Sequence, residues 1–276
     1  MKVKVAVVQT RLHEGERCNQ VNMERAMSYL DQAVRQGAQL VCFPETFPGP
    51  WKEPLDFCPH LELAQAAKEK GVYLIYGTAE RAEKAPDRHY IVEVLVGPNG
   101  ETVGKYRRTS PPGPWIYRRS RLWDLNYLEA DELPVFKTDL GVIGILVCSE
   151  VYVPELSRVL ALKGAEIVFY PAGIYKAQLY DTWRLLIHAR AIENLMYTAT
   201  SQNILGTERG LAMIAGPEKV LAESDEEGVV CAVLDLDRIG EMREAQDAYV
   251  LPMPYATKPG LLKYWRRPQL YGDLVK

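Results

Sequence analysis

Val3-Lys4-Val5-Ala6-Val7-Val8-Gln9 is a β-rich run at the head of the chain, and Leu40-Val41-Cys42-Phe43 is a second one, stopped by Pro44. Between them, over residues 22–36, Met23, Ala26, Met27, Leu30 and Ala33 recur at the spacing of an amphipathic helix. This is a β-α-β unit, and its pattern continues outward. A helix over residues 61–70 leads to a strand over 72–77, and the runs 88–96 and 102–107 flank the turn Gly97-Pro98-Asn99-Gly100, which predicts a hairpin. After an irregular Pro- and Arg-rich segment from Thr109 to about Leu133, strands are predicted at 135–138, 142–147, 165–170, 197–202 and 229–236. Helices are predicted at 154–163 and 179–196, and a second hairpin joins 212–215 to 220–222. Strands alternating with helices, interrupted by hairpins, imply a mixed sheet system covered by helices. No linker or composition shift divides the series, so one domain is expected over residues 1–246. Residues 247–276, rich in Pro, Tyr and basic side chains, are expected to form an arm laid on the domain or on a partner subunit.

The chain has 276 residues, 47% of them apolar and 25% charged, which is the make-up of a globular protein able to bury its own core. Its 33 Lys and Arg against 36 Asp and Glu leave a net charge of −3, so nothing in the charge favours a nucleic acid or an anionic membrane as partner. Five widely spaced cysteines, Cys18, Cys42, Cys58, Cys148 and Cys231, form neither a disulfide framework nor a zinc pattern. The four histidines lie in no ligand spacing either, so no metal is expected. The N-terminus reads as a strand and not as a signal peptide, and no apolar run reaches the length of a membrane span. A cytoplasmic protein with reduced thiols is the expectation.

Two strand ends carry chemistry. The run 40–43 is followed by Pro44-Glu45-Thr46, which puts a carboxylate just beyond the C-terminal end of a buried strand, where open α/β sheets build their sites. The run 142–147 ends in Cys148-Ser149-Glu150 ahead of a helix that starts at Pro154. A thiol at such a strand-to-helix turn meets backbone N–H groups that favour the thiolate and can donate to an oxyanion.

These blocks carry a resemblance. Phe43-Pro44-Glu45-Thr46, Gly104-Lys105-Tyr106-Arg107, the Cys148 block ending Val153-Pro154-Glu155, and Arg190-Ala191-Ile192-Glu193-Asn194 resemble, in order, the blocks of the nitrilase, or carbon–nitrogen hydrolase, superfamily. Further agreement at 162–167, 213–217 and 266–271 spreads the likeness over nearly the whole chain. The resemblance implies an α/β fold, a four-layer α-β-β-α sandwich, usually as a homodimer or higher homo-oligomer. It also implies hydrolysis of a nonpeptide C–N bond by a Glu-Lys-Cys triad, through a Cys thioester, with no cofactor. Glu45 then matches the general base and Cys148 the nucleophile. The family's lysine follows Tyr-Arg and precedes a residue and a His; here the run is Tyr106-Arg107-Arg108-Thr109-Ser110, so Arg108 stands at the lysine position. Lys105, the alternative, lies three residues earlier and on the opposite face of an extended strand. An Arg keeps the positive charge but cannot give up a proton.

The family's second carboxylate, which helps hold the lysine, aligns with Trp123 or Asp124. Glu150, close to Cys148, and Tyr175, in a segment expected to shape the pocket, complete the candidate substrate contacts with Asp124. Arg190, Glu193 and Asn194 are expected to form a structural polar network. Arg107, Arg108, Arg118, Arg119 and Arg121 with Trp115, Tyr117 and Trp123 suggest a loop that rims the pocket. The leading expectation is a hydrolase for a small amide, N-carbamoyl compound or nitrile. The alternative is a nitrilase-like protein that has lost hydrolysis and binds a ligand or a partner.

Overall fold

The computed structural model describes residues 1–50, 57–110, 127–173, 179–204, 209–244 and 260–276. Its centre is β1 (Lys2–Arg11), buried on both faces from Val3 to Thr10 apart from a partial opening at Lys4. A near-continuous apolar run is what a strand covered on both sides requires. β1 lies parallel to β2 (Leu40–Cys42), with Val5 opposite Leu40 and Val7 opposite Cys42. It lies antiparallel to β12 (Gly228–Asp235) along nearly its whole length. Outward from β2 come β3 (Tyr73–Ala82), β4 (Ala85–Val96) and β5 (Thr102–Arg107), in that order.

The remaining strands make a second half in the order β6 (Val135–Thr138), β7 (Gly141–Ile145), β8 (Ile167–Ala172), β9 (Tyr197–Ile204), with β10 (Ala212–Ala215) on β9 and β11 (Val220–Ser224) on β10. Among the described residues the halves pair only where Gln9–Arg11 of β1 run beside Gln202–Ile204 of β9. Elsewhere they meet face to face. An added Cβ at Gly104 of β5 would fall 2.3 Å from the Phe136 ring of β6, and Cys42 Sγ of β2 lies 3.7 Å from Ser201 Oγ of β9.

Helices cover the outer faces. α1 (Cys18–Arg35) packs on β12 and α2 (His60–Lys70) on β3, while α3 (Pro154–Leu162) packs on α4 (Tyr180–Asn194), which lies on β9 and β10. α1 buries Met23, Ala26, Leu30 and Ala33 and partly buries Met27, the stripe read from the sequence, and truncating a fully buried leucine such as Leu30 to Ala costs roughly 2–5 kcal/mol. The result is the four-layer α-β-β-α sandwich. Among the described residues no helix is long and apolar enough to cross a membrane.

Three elements depart from the sequence reading. β3 and β4 extend well past the predicted runs and pair as a long antiparallel hairpin from Leu74–Val96 to Ala82–Ala85. Their distal halves are charged and partly exposed, so no buried pattern marks them. A short helix α5 (Leu236–Glu244) follows β12 and buries only Leu236, Ile239 and Met242, too few positions to register as a period. Near the C-terminus Leu262 packs into the core, whereas Tyr264, Trp265, Leu270 and Leu274 are exposed.

Candidate active site

Three chain segments converge between the sheet halves. The first is the turn after β2. Thr46 adopts a left-handed φ of 53°, and the turn is pressed so closely on β3 that a Cβ at Gly77 would lie 2.0 Å from the Thr46 nitrogen. Only glycine fits there, and this contact aims Glu45 inward, leaving it 3% exposed. The second segment is the end of β7. The chain turns at Cys148, whose φ of 53° is uncommon for a residue with a side chain, and enters a short 3-10 turn over Cys148–Tyr152. The third is the exit from β5, where Arg108 is fully buried, its N–H donating to the Ile91 carbonyl at 2.9 Å and its own carbonyl accepting from the Ala130 N–H.

The side chains meet. Arg108 Nη1 donates to Glu45 Oε1 at 2.8 Å and Nη2 donates to Ser149 Oγ at 2.6 Å, so one guanidinium bridges the carboxylate and the residue after the cysteine. The Gly173 N–H, just past β8, donates to Glu45 Oε2 at 2.8 Å, and Asn203 Nδ2 donates to the Glu45 carbonyl at 2.9 Å. The Cys148 thiol lies beside the Glu45 carboxylate, close enough for each to act on the other's proton affinity, with the Gly173 and Ser149 N–H groups near its sulfur.

Burial sets the protonation. It pushes the Cys148 thiol up to about 12, with the Glu45 charge adding to the effect and Arg108 opposing it. The sequence suggested a turn that favours the thiolate; with so little solvent and an anionic neighbour, the resting sulfur is a neutral thiol instead. Burial likewise raises Glu45 above the usual carboxylate range, against the pull of Arg108 and the Gly173 N–H. Both shifts favour the protonated form of the group concerned.

The other predicted residues divide. Lys105 projects outward on β5 and its Nζ pairs with Glu80 at 2.9 Å, away from Glu45 and Cys148. Glu150 is fully buried and its carboxylate accepts from five donors: Tyr106 Oη at 2.7 Å, the Thr109 N–H and hydroxyl at 2.9 and 2.8 Å, the Ser110 N–H at 2.8 Å and the Val147 N–H at 2.6 Å. A carboxylate offers about four lone-pair sites, so these bonds occupy Glu150 in tying the strand exit after Arg108 to the turn at Cys148. Asp124, Tyr175 and the basic and aromatic residues from Trp115 to Trp123 lie outside the described residues. Arg190 donates to the Val151 carbonyl at 3.0 Å and to Glu193 at 2.7 Å, and Asn194 Nδ2 donates back to the Arg190 carbonyl, which fastens the cysteine turn to α4.

Sequence reasoning missed Ser149, Gly173 and Asn203. Gly173 had a weak signal, following the buried run Tyr170-Pro171-Ala172. Asn203 had a stronger one: Thr198, Thr200, Ser201, Gln202 and Asn203 form a polar series that is wholly buried at the end of a strand.

Fold and site together define an α/β sandwich that gathers a thiol, a carboxylate and a cation at its strand ends. The carbon–nitrogen hydrolase family model matches residues 4–244. A nitrilase of Pyrococcus abyssi (strain GE5 / Orsay) is 33% identical over 258 residues, covering 85% of this chain and 90% of that protein. A deaminated glutathione amidase of Synechocystis sp. (strain PCC 6803 / GT-S) is 32% identical over 246 residues, covering 81% and 89%. The crystal structure of a carbon–nitrogen hydrolase from Helicobacter pylori G27 superposes with a TM-score of 0.80 at 22% identity over 100% of this chain and 99% of that one. The chain belongs to the carbon–nitrogen hydrolase family.

Proposed function

We propose that the protein hydrolyses the C–N bond of a small amide or N-carbamoyl compound through a thioester on Cys148. The observation that carries this reading is the contact of one buried carboxylate, Glu45, with the Cys148 thiol and with Arg108 at once. Glu45 takes the thiol proton as sulfur attacks the carbonyl carbon, and the Arg108 guanidinium stabilises the oxyanion that forms. The protonated Glu45 gives that proton to the departing nitrogen, which leaves as ammonia or an amine. A water molecule then attacks the thioester, losing a proton to Glu45, and collapse of the second tetrahedral species returns the proton to sulfur. Arg108 takes no part in proton transfer, since a guanidinium does not deprotonate in a protein. All proton traffic runs through Glu45.

The amidase and nitrilase names of the relatives support this substrate class. A second reading, a binding protein that has lost hydrolysis, is favoured by the engagement of Arg108 with both Glu45 and Ser149. Ammonia release from a panel of amides and N-carbamoyl amines separates the two: the hydrolase reading expects release that Cys148→Ser abolishes, and the binding reading expects none from any compound. The exposed Tyr264, Trp265, Leu270 and Leu274 support a C-terminal arm, from residue 247, that packs in a homodimer or larger assembly. Light scattering of the full chain and of one ending at residue 246 tests that arm.

A further inference from the structure

Glu93, on β4, is fully shut off from solvent between the two sheet halves. Its register is explicit: it lies opposite Gly77 of β3 and opposite Tyr106 of β5. Its side chain therefore shares their inner face, the one from which Arg108 leaves β5 two residues later. The bare face of Gly77 admits the Glu45–Thr46 turn, and the Thr46 N–H is directed at Glu93. Among the described residues neither carboxyl oxygen has a partner in good hydrogen-bond geometry.

The charged and titratable groups around it come from three neighbouring elements. Glu45 and Cys42 reach it from β2 and its following turn, Tyr76 from β3, and Tyr106 and Arg108 from β5 and its exit. Among the described residues a single cation, Arg108, thus serves two carboxyl groups. Leaving aside Glu150, whose buried carboxylate is met by its own five donors, the carboxylates of Glu45 and Glu93 with one guanidinium leave a net negative charge in a dry site, and retention of one proton removes it. Arg108 cannot hold that proton in exchangeable form, so a carboxyl must.

We propose that Glu93 is a positioning residue of this site: it stays protonated while Glu45 is ionised, which leaves the charge of Arg108 to Glu45 and the oxyanion, and its ionisation at alkaline pH turns the site off. The oxyanion part rests on the hydrolytic reading above. Burial and the nearby Glu45 charge both act in this direction, holding the Glu93 carboxyl well above the carboxylate range.

The test compares the wild-type chain with Glu93→Gln, whose carboxamide mimics the protonated acid, in two assays across pH 5 to 10. One is amide turnover and the other is iodoacetamide alkylation of Cys148, followed by peptide mass spectrometry. The expected result is equal behaviour at pH 6, an alkaline limb of turnover moved up by about one pH unit in the variant, and alkylation at pH 9 about tenfold faster. Glu93→Met, also neutral, follows Glu93→Gln. Superimposable profiles, a uniform loss at every pH, or failure of Glu93→Gln to fold would overturn the proposal. A wild-type chain without amide turnover would count against the hydrolytic reading alone, because the alkylation profiles still report on Glu93.

Discussion

The Glu45 carboxylate and the Arg108 guanidinium, 63 residues apart in sequence, meet at 2.8 Å with side chains 4% and 0% exposed. Removing one partner of such a pair leaves an uncompensated buried charge. Arg108→Ala is expected to destabilise the fold by roughly 3–5 kcal/mol and to lower kcat by at least about a hundredfold. Arg108→Lys keeps the charge but loses the fork that spans Glu45 and Ser149; a smaller melting shift and a drop of about tenfold in kcat are expected. Thermal unfolding and ammonia release check both.

Cysteine labelling gives a second outcome. With burial holding the Cys148 thiol up at about 12, iodoacetamide at pH 7 modifies the exposed Cys58 first, Cys148 more slowly and with dependence on Glu45, and the buried Cys42 not at all. Glu45→Gln slows Cys148 labelling by about tenfold or more and leaves Cys58 unchanged. Peptide mapping by mass spectrometry reads the rates.

Glu150 separates support from catalysis. Glu150→Ala orphans five donors around the Cys148 turn and is expected to cost on the order of 3 kcal/mol in urea unfolding. If Glu150 contacted substrate instead, KM would rise while stability stayed nearly constant.

Gly173 has no room for a side chain. A Cβ there would fall 2.8 Å from Glu45 Oε2, so Gly173→Ala displaces the carboxylate or the strand end that holds it. The expected cost is about 1–3 kcal/mol in stability and a loss of kcat of at least about tenfold. Denaturant titration and steady-state kinetics measure these independently.

The raised Glu45 pKa fixes the sign of two pH effects. On the proposed hydrolytic reading activity requires ionised Glu45, so the acid limb of kcat/KM is expected above the ordinary carboxylate range, with activity climbing through it as pH rises. For stability the sign is opposite. The protonated form is favoured in the folded state, so this contribution is fully present below the unfolded pKa of about 4.3 and is lost as pH rises through the folded value. Glu45→Gln removes the titration, and its stability relative to wild type is expected to increase from pH 4 to pH 8 in urea unfolding.

How far the sequence carried these conclusions depends on the range of the forces involved. β1, β2 and α1 were legible because central strands and an amphipathic helix repeat locally. Glu45 and Cys148 were legible because they follow strands directly, and Arg108 because its neighbours keep a recognisable order. The proximity of Gly173 to Glu45 was not, since the contact spans 128 residues and glycine leaves no pattern. The hydrogen bonds of Glu150 were hidden for a related reason: adjacency to Cys148 in sequence says nothing about five donors that arrive largely from β5 and the residues just after it. The distal β3–β4 hairpin escaped because its residues are partly exposed and its register is held by pairing alone.

The central claim is that Cys148 forms a covalent bond with the acyl group of its substrate while Glu45 moves the proton. Intact-mass spectrometry of the protein quenched during incubation with small amides, N-carbamoyl amines and nitriles tests it most directly. The account predicts one added acyl mass that maps to Cys148, accumulates more slowly in Glu45→Gln and is absent in Cys148→Ala. A folded wild-type chain that acquires no adduct from any compound in the panel, or one whose adduct persists in Cys148→Ala, would contradict it.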